Sequence, residues 1–231
     1  MTHITPDWPA PASVKACTTT RTLWGSPDPG SNDPAERARL KSLLSLPADP
    51  IWLKQIHSSI AVPAEPSQLN CEADASYTDQ TGRVCLVLTA DCLPILVCNQ
   101  QGTEVAAIHA GWRGLANGVI EKTIQAMKTD PVQLLVWFGP AIGPQKFEVG
   151  VDVYQAFTQK HATLETCFIP CAPEKWLANL YQLAAARLND IGVNKIYGGE
   201  YCTHTQNDLF FSYRRDQGKT GRMASVIWIA H

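Results

Sequence analysis

Three short apolar runs that follow one another between residues 84 and 110 place the strongest constraint on the fold of this chain. Their sequences are VCLVLTA, PILVC and TEVAAIHA, and only a few residues separate each run from the next. Runs of this length that are apolar at most positions are typical of strands buried on both faces of a sheet. The sequence therefore predicts a central sheet that is covered on both sides.

The other expected elements alternate without a strict strand-helix-strand rhythm. Helical spacing and strand-like runs predict helices over residues 35–44, 115–127, 151–160 and 175–192, and strands over residues 51–62, 132–139 and 223–230. This mixture predicts mixed β-sheets covered by helices, rather than a Rossmann or barrel fold. The chain has 231 residues and no evident linker or repeat, so we expect one domain over residues 1–231.

Composition limits the expected partners and location. The net charge of −2 and the pI near 6.3 favour a small-molecule partner over a nucleic acid or an anionic membrane surface. The first residues lack the pattern of a signal peptide, and no apolar run reaches the ~18 residues of a membrane span, so a cytoplasmic protein is expected. The eight cysteines include no C-x-x-C pair and are interpreted as thiols.

The second and third apolar runs bring a cysteine close to a histidine. If they pair as an antiparallel hairpin centred between Gln100 and Gln101, Cys92 and His109 lie opposite each other, with Cα atoms roughly 4.5–5.5 Å apart. A thiolate beside an imidazole indicates either a metal site or a Cys-His nucleophile pair. The alternative is a buried core thiol beside a hydrogen-bonded turn histidine.

A third ligand candidate, His57, lies in the strand-like segment IWLKQIHSSIAV. Two histidines and one cysteine suit zinc with a fourth coordination position left open, which is the arrangement of catalytic zinc sites. The residue types therefore favour a zinc site at His57, Cys92 and His109. Taken alone, His57 would be interpreted as an ordinary polar residue.

Four arginines are candidates for binding an anionic reactant. Arg113 lies between two glycines in a turn that is expected to open a helix, where the helix N-terminus and the guanidinium together favour phosphate. Arg21 lies in TTTRT, and Arg214 and Arg215 lie in FFSYRRDQGKTGRMAS. The alternative for each is a surface arginine without a specific role.

The segment TADCLPILVCNQQGTEVAAIHAGWRG, with KQIHS before it and GPAIGPQKFEVG and FFSYRRDQGKTGRMASVIW after it, resembles the YfiH-type family. This family is described both as multicopper polyphenol oxidases or laccases and as purine nucleoside phosphorylases. The resemblance, which extends over nearly the whole chain, implies a single α+β domain with mixed β-sheets sandwiched between helices. In the metal site that it implies, KQIHS supplies His57, TADC supplies Cys92 and IHAGWRG supplies His109. It also implies phosphorolysis of adenosine, inosine, guanosine and methylthioadenosine, adenosine deamination and, in some members, copper-dependent phenol oxidation.

One segment departs from the family pattern. After the Thr-Arg pair that ends at Arg21, family members usually carry a Gly-Gly-Val-Ser turn and an Asn-Leu-Gly stretch, whereas this chain continues with TLWGSPDPGSND. Any ligand contact that the Asn-Leu-Gly stretch makes in the family is absent here. The expected substrate range is affected, and the three ligand candidates are not.

The residues leave the reaction class open. Phosphorolysis requires an anion held by groups such as Arg21 and Arg113, and deamination requires a water activated at the zinc site for attack on C6 of adenine. The His-x-Glu proton shuttle of zinc deaminases is absent, so Asp74, Asp91 and Glu148 are the candidates for acid or base.

Three alternatives to purine nucleoside chemistry remain. The first is copper-dependent polyphenol oxidation, although six histidines are too few for a multicopper cluster, and a single Cys/His site would bind one copper ion. The second is a Cys-His hydrolase with Cys92 as nucleophile. The third is a metal-binding module without catalytic activity.

Overall fold

The computed structural model describes residues 2–24 and 34–230. Strands in these ranges are β1 (His3–Ile4), β2 (Val14–Thr19), β3 (Ala61–Pro63), β4 (Ala75–Thr78), β5 (Val84–Thr89), β6 (Leu93–Asn99), β7 (Val105–Ala110), β8 (Leu134–Phe138), β9 (Glu148–Gly150), β10 (Phe168–Ala172), β11 (Lys175–Ala178), β12 (Ile196–Gly198) and β13 (Met223–Ile229). The α-helices are α1 (Arg21–Trp24), α2 (Pro34–Leu43), α3 (Trp112–Ala116), α4 (Val119–Ala126), α5 (Val151–Thr158) and α6 (Leu180–Asp190). Residues 25–33, which form most of the segment that departs from the family pattern, lie outside the described ranges.

The strands form a six-stranded sheet of order β12-β8-β6-β7-β4-β3, a four-stranded sheet of order β1-β2-β13-β5, and a small sheet of order β10-β11-β9. The pairs β3 with β4 and β8 with β12 are parallel, and the other paired strands are antiparallel. The six-stranded sheet is therefore mixed. Its centre is the β6-β7 pair, which comes from the second and third apolar runs.

The two larger sheets pack face to face between layers of helices. Strands β5 and β13 of the four-stranded sheet share a buried cluster with β6, β7 and β8 of the six-stranded sheet. On the far side of the six-stranded sheet, residues such as Ile108 pack with Ile120 of α4 and with α5 and α6. On the far side of the four-stranded sheet, Leu86 packs with Leu40 of α2. The predicted α+β fold with mixed sheets between helices is confirmed.

The predicted hairpin forms, but the predicted register is wrong. His109 pairs with Pro94, so Cys92 precedes β6 and does not lie opposite His109. The side chain of Asn99 explains the shift, because its Oδ1 accepts a hydrogen bond from the backbone N–H of Thr103 at 2.8 Å and lengthens the turn. The centre of the hairpin therefore lies one residue further along the chain than expected.

The segment around His57 is also not the predicted strand. Only residues 61–63 of this segment form a strand, and Ile51 and Lys54 make isolated bridges. His57 has a φ of +59°, in the left-handed region, which a regular strand does not accommodate. The chain therefore turns at His57 rather than continuing in an extended conformation.

Two predicted helices differ in extent from the observed ones. The helix expected over residues 115–127 is divided into α3 and α4, because Gly118 takes a φ of +85° between them. The helix expected over residues 175–192 begins only at Leu180, after Asn179 accepts a hydrogen bond from the N–H of Gln182. The residues before it form β11, which pairs with β9 and β10.

None of the helices in the described part of the chain is both long enough and apolar enough to cross a bilayer.

Candidate metal centre

The three ligand candidates come together at one end of β6 and β7. His109 lies near the end of β7, Cys92 precedes β6, and His57 lies in the turning segment before β3. One ligand atom from each residue lies within 4.8 Å of the others. In the described residues this is the one such group of three or more His, Cys, Asp or Glu side chains. The structure thus brings together the set that the residue types favoured, despite the shifted hairpin register.

A buried carboxylate, Asp74, orients two of the three candidates. Its Oδ1 lies 2.7 Å from Nδ1 of His109, which leaves Nε2 of that ring as the nitrogen available to a metal. The same carboxylate accepts hydrogen bonds from the N–H of His57 at 3.0 Å and from the N–H and hydroxyl of Ser58, each at 2.6 Å. These contacts stabilise the turn at His57. Asp74, considered above as an acid or base, is therefore a positioning residue here.

The side chain of His57 fits a ligand role. Its Nδ1 is buried and has no hydrogen-bond partner among the described residues. A buried nitrogen without a partner is costly, and a metal ion satisfies it. The ring of His57 lies 4.9 Å from that of His109, measured between centroids, at an interplanar angle of 31°. The two imidazoles therefore face the same volume.

Gly111 provides the space between the three side chains. A Cβ built on this residue would lie 3.2 Å from Sγ of Cys92, 3.2 Å from Nδ1 of His57 and 3.5 Å from Cε1 of His109. The φ of Gly111 is −65°, so the backbone itself does not require glycine. The absence of a side chain, rather than an unusual backbone conformation, is what the site uses. The donor set, the unpartnered nitrogen and this space together fit one metal ion.

The close approach of the candidate ligands and Asp74 changes the pKa of three side chains, His109, Asp74 and His57. Burial alone would lower the pKa of His109, but the Cys92 sulfur and the Asp74 carboxylate outweigh it and raise this pKa to about 9. Burial alone would raise the pKa of Asp74, but hydrogen bonds from His109 and Ser58 lower it to about 2. Burial and the neighbouring His109 lower the pKa of His57, which favours the neutral imidazole that binds metals.

A cavity of about 630 Å³ opens over the three side chains. Its walls carry the cationic side chains of Arg113, Arg214 and Arg222 and the rings of Phe147 and Tyr213. Lys54 also lines the cavity, but its charge is offset by Glu72, whose Oε1 lies 2.7 Å from its Nζ. Among the described residues, Asp91 is the one carboxylate on its walls, and both oxygens of that group already accept hydrogen bonds. The charges of the walls therefore favour an anionic ligand beside the candidate metal site.

Two of the four predicted arginines line this cavity. Arg113 is exposed on α3, and its guanidinium carbon lies 4.4 Å from the centroid of the Trp112 ring. Arg214 donates from Nη1 to the carbonyl oxygen of Glu148 at 3.0 Å. Because α3 spans five residues, the helix dipole expected beside Arg113 is weaker than that of the single helix predicted from the sequence.

The other two arginines contact protein groups outside the lining of the cavity. Arg21 donates from Nη1 to the carbonyl oxygen of Asn207 at 2.8 Å and to its Oδ1 at 2.7 Å. Arg215 binds Asp216 through Nε at 2.8 Å and the carbonyl oxygen of Thr203 through Nη1 at 2.8 Å. The structure therefore does not bring these two guanidinium groups to the candidate metal site. Their contacts are those of residues that hold loops together.

Several residues of the site were not identified from the sequence. Lys54 and Arg222 lie in the motif segments KQIHS and FFSYRRDQGKTGRMASVIW, but these motifs gave neither residue a role, and their approach to the cavity follows from tertiary structure. The role of Asp74 likewise depends on the fold, because the residue is 35 positions away from His109. Gly111 had a signal in the sequence HAGWRG, where a residue without a side chain follows the candidate ligand His109 by two positions.

Residues 25–230 match the family described as multi-copper polyphenol oxidoreductase laccase. The chain belongs to this family. The match spans the three ligand candidates, the residues of the cavity and the last strand. The resemblance to the YfiH-type family noted from the sequence motifs is therefore confirmed.

Curated relatives carry a different description from that of the family. Purine nucleoside phosphorylase YfiH of Escherichia coli (strain K12) is 48% identical over 241 residues, covering 98% of this chain and 98% of the relative. Purine nucleoside phosphorylase of Haemophilus influenzae is 46% identical over 243 residues, covering 99% of each chain. These relatives and the His-Cys-His cluster fit a purine nucleoside-processing enzyme.

A crystal structure of Neisseria meningitidis protein NMB0706 has the same fold. It superposes with a TM-score of 0.94 at 44% sequence identity, and the alignment covers 100% of both chains. The structure of YlmD from Geobacillus stearothermophilus superposes with a TM-score of 0.79 at 25% identity, covering 95% of this chain and 93% of that one. The arrangement of sheets and helices described above is thus shared with experimentally determined structures.

Proposed function

We propose that this protein is a zinc-dependent purine nucleoside phosphorylase that acts on adenosine, inosine, guanosine and methylthioadenosine. The observation that carries the proposal is the meeting of His57, Cys92 and His109 at the base of a cavity with cationic walls. The names of the relatives support the substrate class. The cations support the second reactant, because inorganic phosphate is an anion that binds readily to arginine.

Each part of the cavity has a role in this proposal. Arg113, Arg214 and Arg222 bind the phosphate and hold it against the ribose, which lowers the entropic barrier of the displacement. Phe147 and Tyr213 provide flat apolar surface for the purine. The phosphate oxygen attacks C1′ of the ribose as the bond from C1′ to the purine nitrogen breaks, and the purine leaves with that electron pair and takes up a proton.

The candidate metal site contributes through its ligands and the group that orients them. When bound, zinc supplies a Lewis acid that polarises an oxygen or nitrogen atom of a reactant. His57, Cys92 and His109 hold it, and Asp74 keeps Nδ1 of His109 protonated so that Nε2 faces the cavity. Three protein ligands leave one coordination position for a reactant.

The proton for the leaving purine does not come from the carboxylates weighed above. Both oxygens of Asp74 and both oxygens of Asp91 accept hydrogen bonds from protein groups. The side chain of Glu148 lies outside the lining of the cavity, about half exposed, and is 3.9 Å from Lys175. We therefore assign the proton to solvent that enters the open cavity.

Adenosine deamination is the second activity that we propose for the same site. The replacement of the C6 amino group by water requires the same purine surface and the same metal position, but no phosphate. Among the described residues, no carboxylate on the cavity walls is free of hydrogen bonds to protein groups. We therefore expect deamination to be the slower of the two reactions, because zinc deaminases use a glutamate as acid and base.

A direct experiment separates these activities. Protein loaded with one equivalent of zinc is incubated with adenosine in the presence and absence of phosphate, and the products are separated by chromatography. Phosphate-dependent adenine and ribose 1-phosphate are expected from phosphorolysis, and phosphate-independent inosine from deamination. Cys92→Ser is expected to abolish product formation, whereas Cys71→Ser, a matched change at another half-buried thiol, is expected to preserve it.

Copper-dependent phenol oxidation is the second candidate function, and the description of the family favours it. A Cys/His site also accepts copper, which binds more tightly than zinc in the divalent series. If neither adenine nor inosine forms, and a phenol causes copper-dependent oxygen uptake, the oxidase is established and the phosphorylase is rejected. A covalent acyl group on Cys92 during turnover of metal-free protein would instead indicate the hydrolase.

A further inference from the structure

Asp91, the residue before Cys92, has a backbone conformation that its residue type does not favour. Its φ is +90°, in the region that glycine adopts at lower cost than any residue with a Cβ. The side chain is nevertheless buried, with 8% of the residue exposed. A glycine would satisfy the backbone alone, so the role of Asp91 lies in its carboxylate.

Both oxygens of this carboxylate bind segments that surround the cavity. Oδ1 accepts a hydrogen bond from the hydroxyl of Thr203 at 2.6 Å, and Oδ2 accepts one from the backbone N–H of Arg214 at 2.7 Å. The carbonyl oxygen of Asp91 accepts a third hydrogen bond, from the N–H of Ile142, at 2.9 Å. One residue therefore joins three separate segments to the turn that carries Cys92.

The contact with Arg214 links the candidate metal site to a cation of the cavity. Arg214 is exposed, and its guanidinium lies 5.7 Å from the centroid of the Phe147 ring on the cavity wall. Because Asp91 holds the main chain of Arg214, it fixes where that side chain begins. Loss of the carboxylate frees this segment without removing a metal ligand or a cation.

We infer that Asp91 is a positioning residue that holds Arg214 where it binds the anionic reactant beside the metal. The inference rests on the proposed function for the identity of the anion, which is phosphate. It concerns the placement of a cation, so it is tested by binding as well as by turnover. A general acid or base at Asp91 is a different role, which phosphate affinity and the pH profile of kcat distinguish from positioning.

The test uses Asp91→Gly and Asp91→Asn in full-length, zinc-loaded protein. Glycine suits the left-handed conformation and removes both acceptors, whereas asparagine tolerates that conformation and keeps one acceptor. Inorganic phosphate affinity, measured by calorimetry, is expected to fall about tenfold in Asp91→Gly and less in Asp91→Asn. Zinc content is expected to stay at one per chain. Hydrogen exchange at the Arg214 amide is expected to be faster in both variants.

A double-mutant cycle identifies the residue through which Asp91 acts. In an Arg214→Ala background, Asp91→Gly is expected to cause no further loss of phosphate affinity, because the cation that it positions is gone. In an Arg113→Ala background its effect is expected to persist in full. Glu104→Gln is the matched control, since Glu104 is a buried carboxylate that braces Thr129 outside the lining of the cavity. This control is expected to leave phosphate affinity unchanged.

Several results would overturn the inference. They are unchanged phosphate affinity in Asp91→Gly, loss of zinc from that variant, an undiminished effect of Asp91→Gly without Arg214, or no binding of phosphate by the wild type. A lower kcat with normal phosphate affinity and an altered pH profile would make Asp91 an acid or base and would also reject it. Wild-type protein that binds phosphate but forms no adenine would reject the proposed function, while the cycle would still decide the role of Asp91.

Discussion

His109 Nδ1 lies 2.7 Å from Oδ1 of Asp74, and both side chains are buried. Because Asp74 also binds the main chain at His57 and Ser58, one carboxylate sets the orientation of two of the three candidate ligands. A site arranged in this way depends on a residue outside the set of candidate ligands.

Asp74→Asn is expected to lower zinc affinity by about 10- to 100-fold, the range typical of groups that orient a ligand histidine. The amide keeps one acceptor oxygen but loses the charge that favours a protonated Nδ1. Competition with a chromophoric chelator measures the affinity. Ser58→Ala, which removes one hydrogen bond to Asp74, is expected to shift affinity in the same direction by less. Equal zinc affinity in all three proteins would contradict this role for Asp74.

The stability of the metal-free protein is expected to depend on the same carboxylate at acid pH. The folded-state pKa of Asp74 is lowered to about 2. The unfolded value is about 4, so the group stabilises the fold above that pH, and its contribution is lost as the pH falls through 2. The free energy of unfolding, measured with urea, is expected to decrease over this interval and to decrease less in Asp74→Asn.

A matched change at an exposed carboxylate controls for charge alone. Asp79 pairs with Lys128 at 2.7 Å, and that lysine side chain is largely exposed, so Asp79→Asn is expected to follow the wild-type pH dependence closely. If Asp74→Asn followed the wild-type curve just as closely between pH 4 and 2, the predicted acid-dependent contribution of Asp74 would be wrong.

Gly111→Ala is expected to weaken metal binding without unfolding the protein. The added methyl group would lie 3.2 Å from Cys92 Sγ and from His57 Nδ1, in the volume that the ligand atoms face. The backbone of Gly111 accepts alanine, since its φ is −65°. Zinc content after dialysis and thermal unfolding of the metal-free form are the measurements. Normal zinc content in Gly111→Ala would contradict the assignment of this space to the metal.

A control for that substitution is available at another helix start. Gly150 precedes α5 with a φ of −93°, and a Cβ there would approach only the side chain of Asp152, at 3.0 Å. Gly150→Ala is therefore expected to leave zinc content unchanged. A loss of zinc in both variants would indicate a general effect on folding.

Arg113→Ala is expected to reduce phosphate-dependent turnover by roughly 1.5–3 kcal/mol in transition-state stabilisation, which is the contribution of a charge-assisted hydrogen bond. Zinc content is expected to stay normal, and phosphate-independent inosine formation is expected to change less. Arg21→Ala is the comparison, because Arg21 lies outside the cavity lining. A larger loss in Arg21→Ala than in Arg113→Ala would move the phosphate site away from the cavity described here.

The sequence predicted the layered fold and the three ligand candidates because both depend on local patterns. Continuous apolar runs marked β5, β6 and β7, and residue type together with the KQIHS motif selected His57. The predicted hairpin had the wrong centre, but it still placed Cys92 near His109. Gly111, which follows Ala110, has no side chain, and the Cys92 sulfur lies beside the space that this leaves. A register shift of this size therefore changed the pairing and preserved the proximity.

The parts that the sequence did not predict depend on single side chains or on tertiary contacts. Asn99 lengthened the hairpin turn through its side-chain oxygen, and Gly118 divided a helix through a left-handed conformation. Trp176 stacks on Tyr154 at 4.4 Å between ring centroids, which favours strand β11 over the helix expected from spacing. The cations Lys54 and Arg222 reach the cavity from segments far apart in the chain.

X-ray absorption at the zinc edge, on protein loaded with one equivalent of zinc, tests the metal centre most directly. We expect one sulfur ligand at about 2.3 Å and two imidazole nitrogens at about 2.0–2.1 Å, with a further light atom in the remaining position. In Cys92→Ser the sulfur contribution is expected to disappear. A zinc site with no sulfur in the wild type, or one whose sulfur persists in Cys92→Ser, would contradict the assignment of His57, Cys92 and His109 as the metal centre.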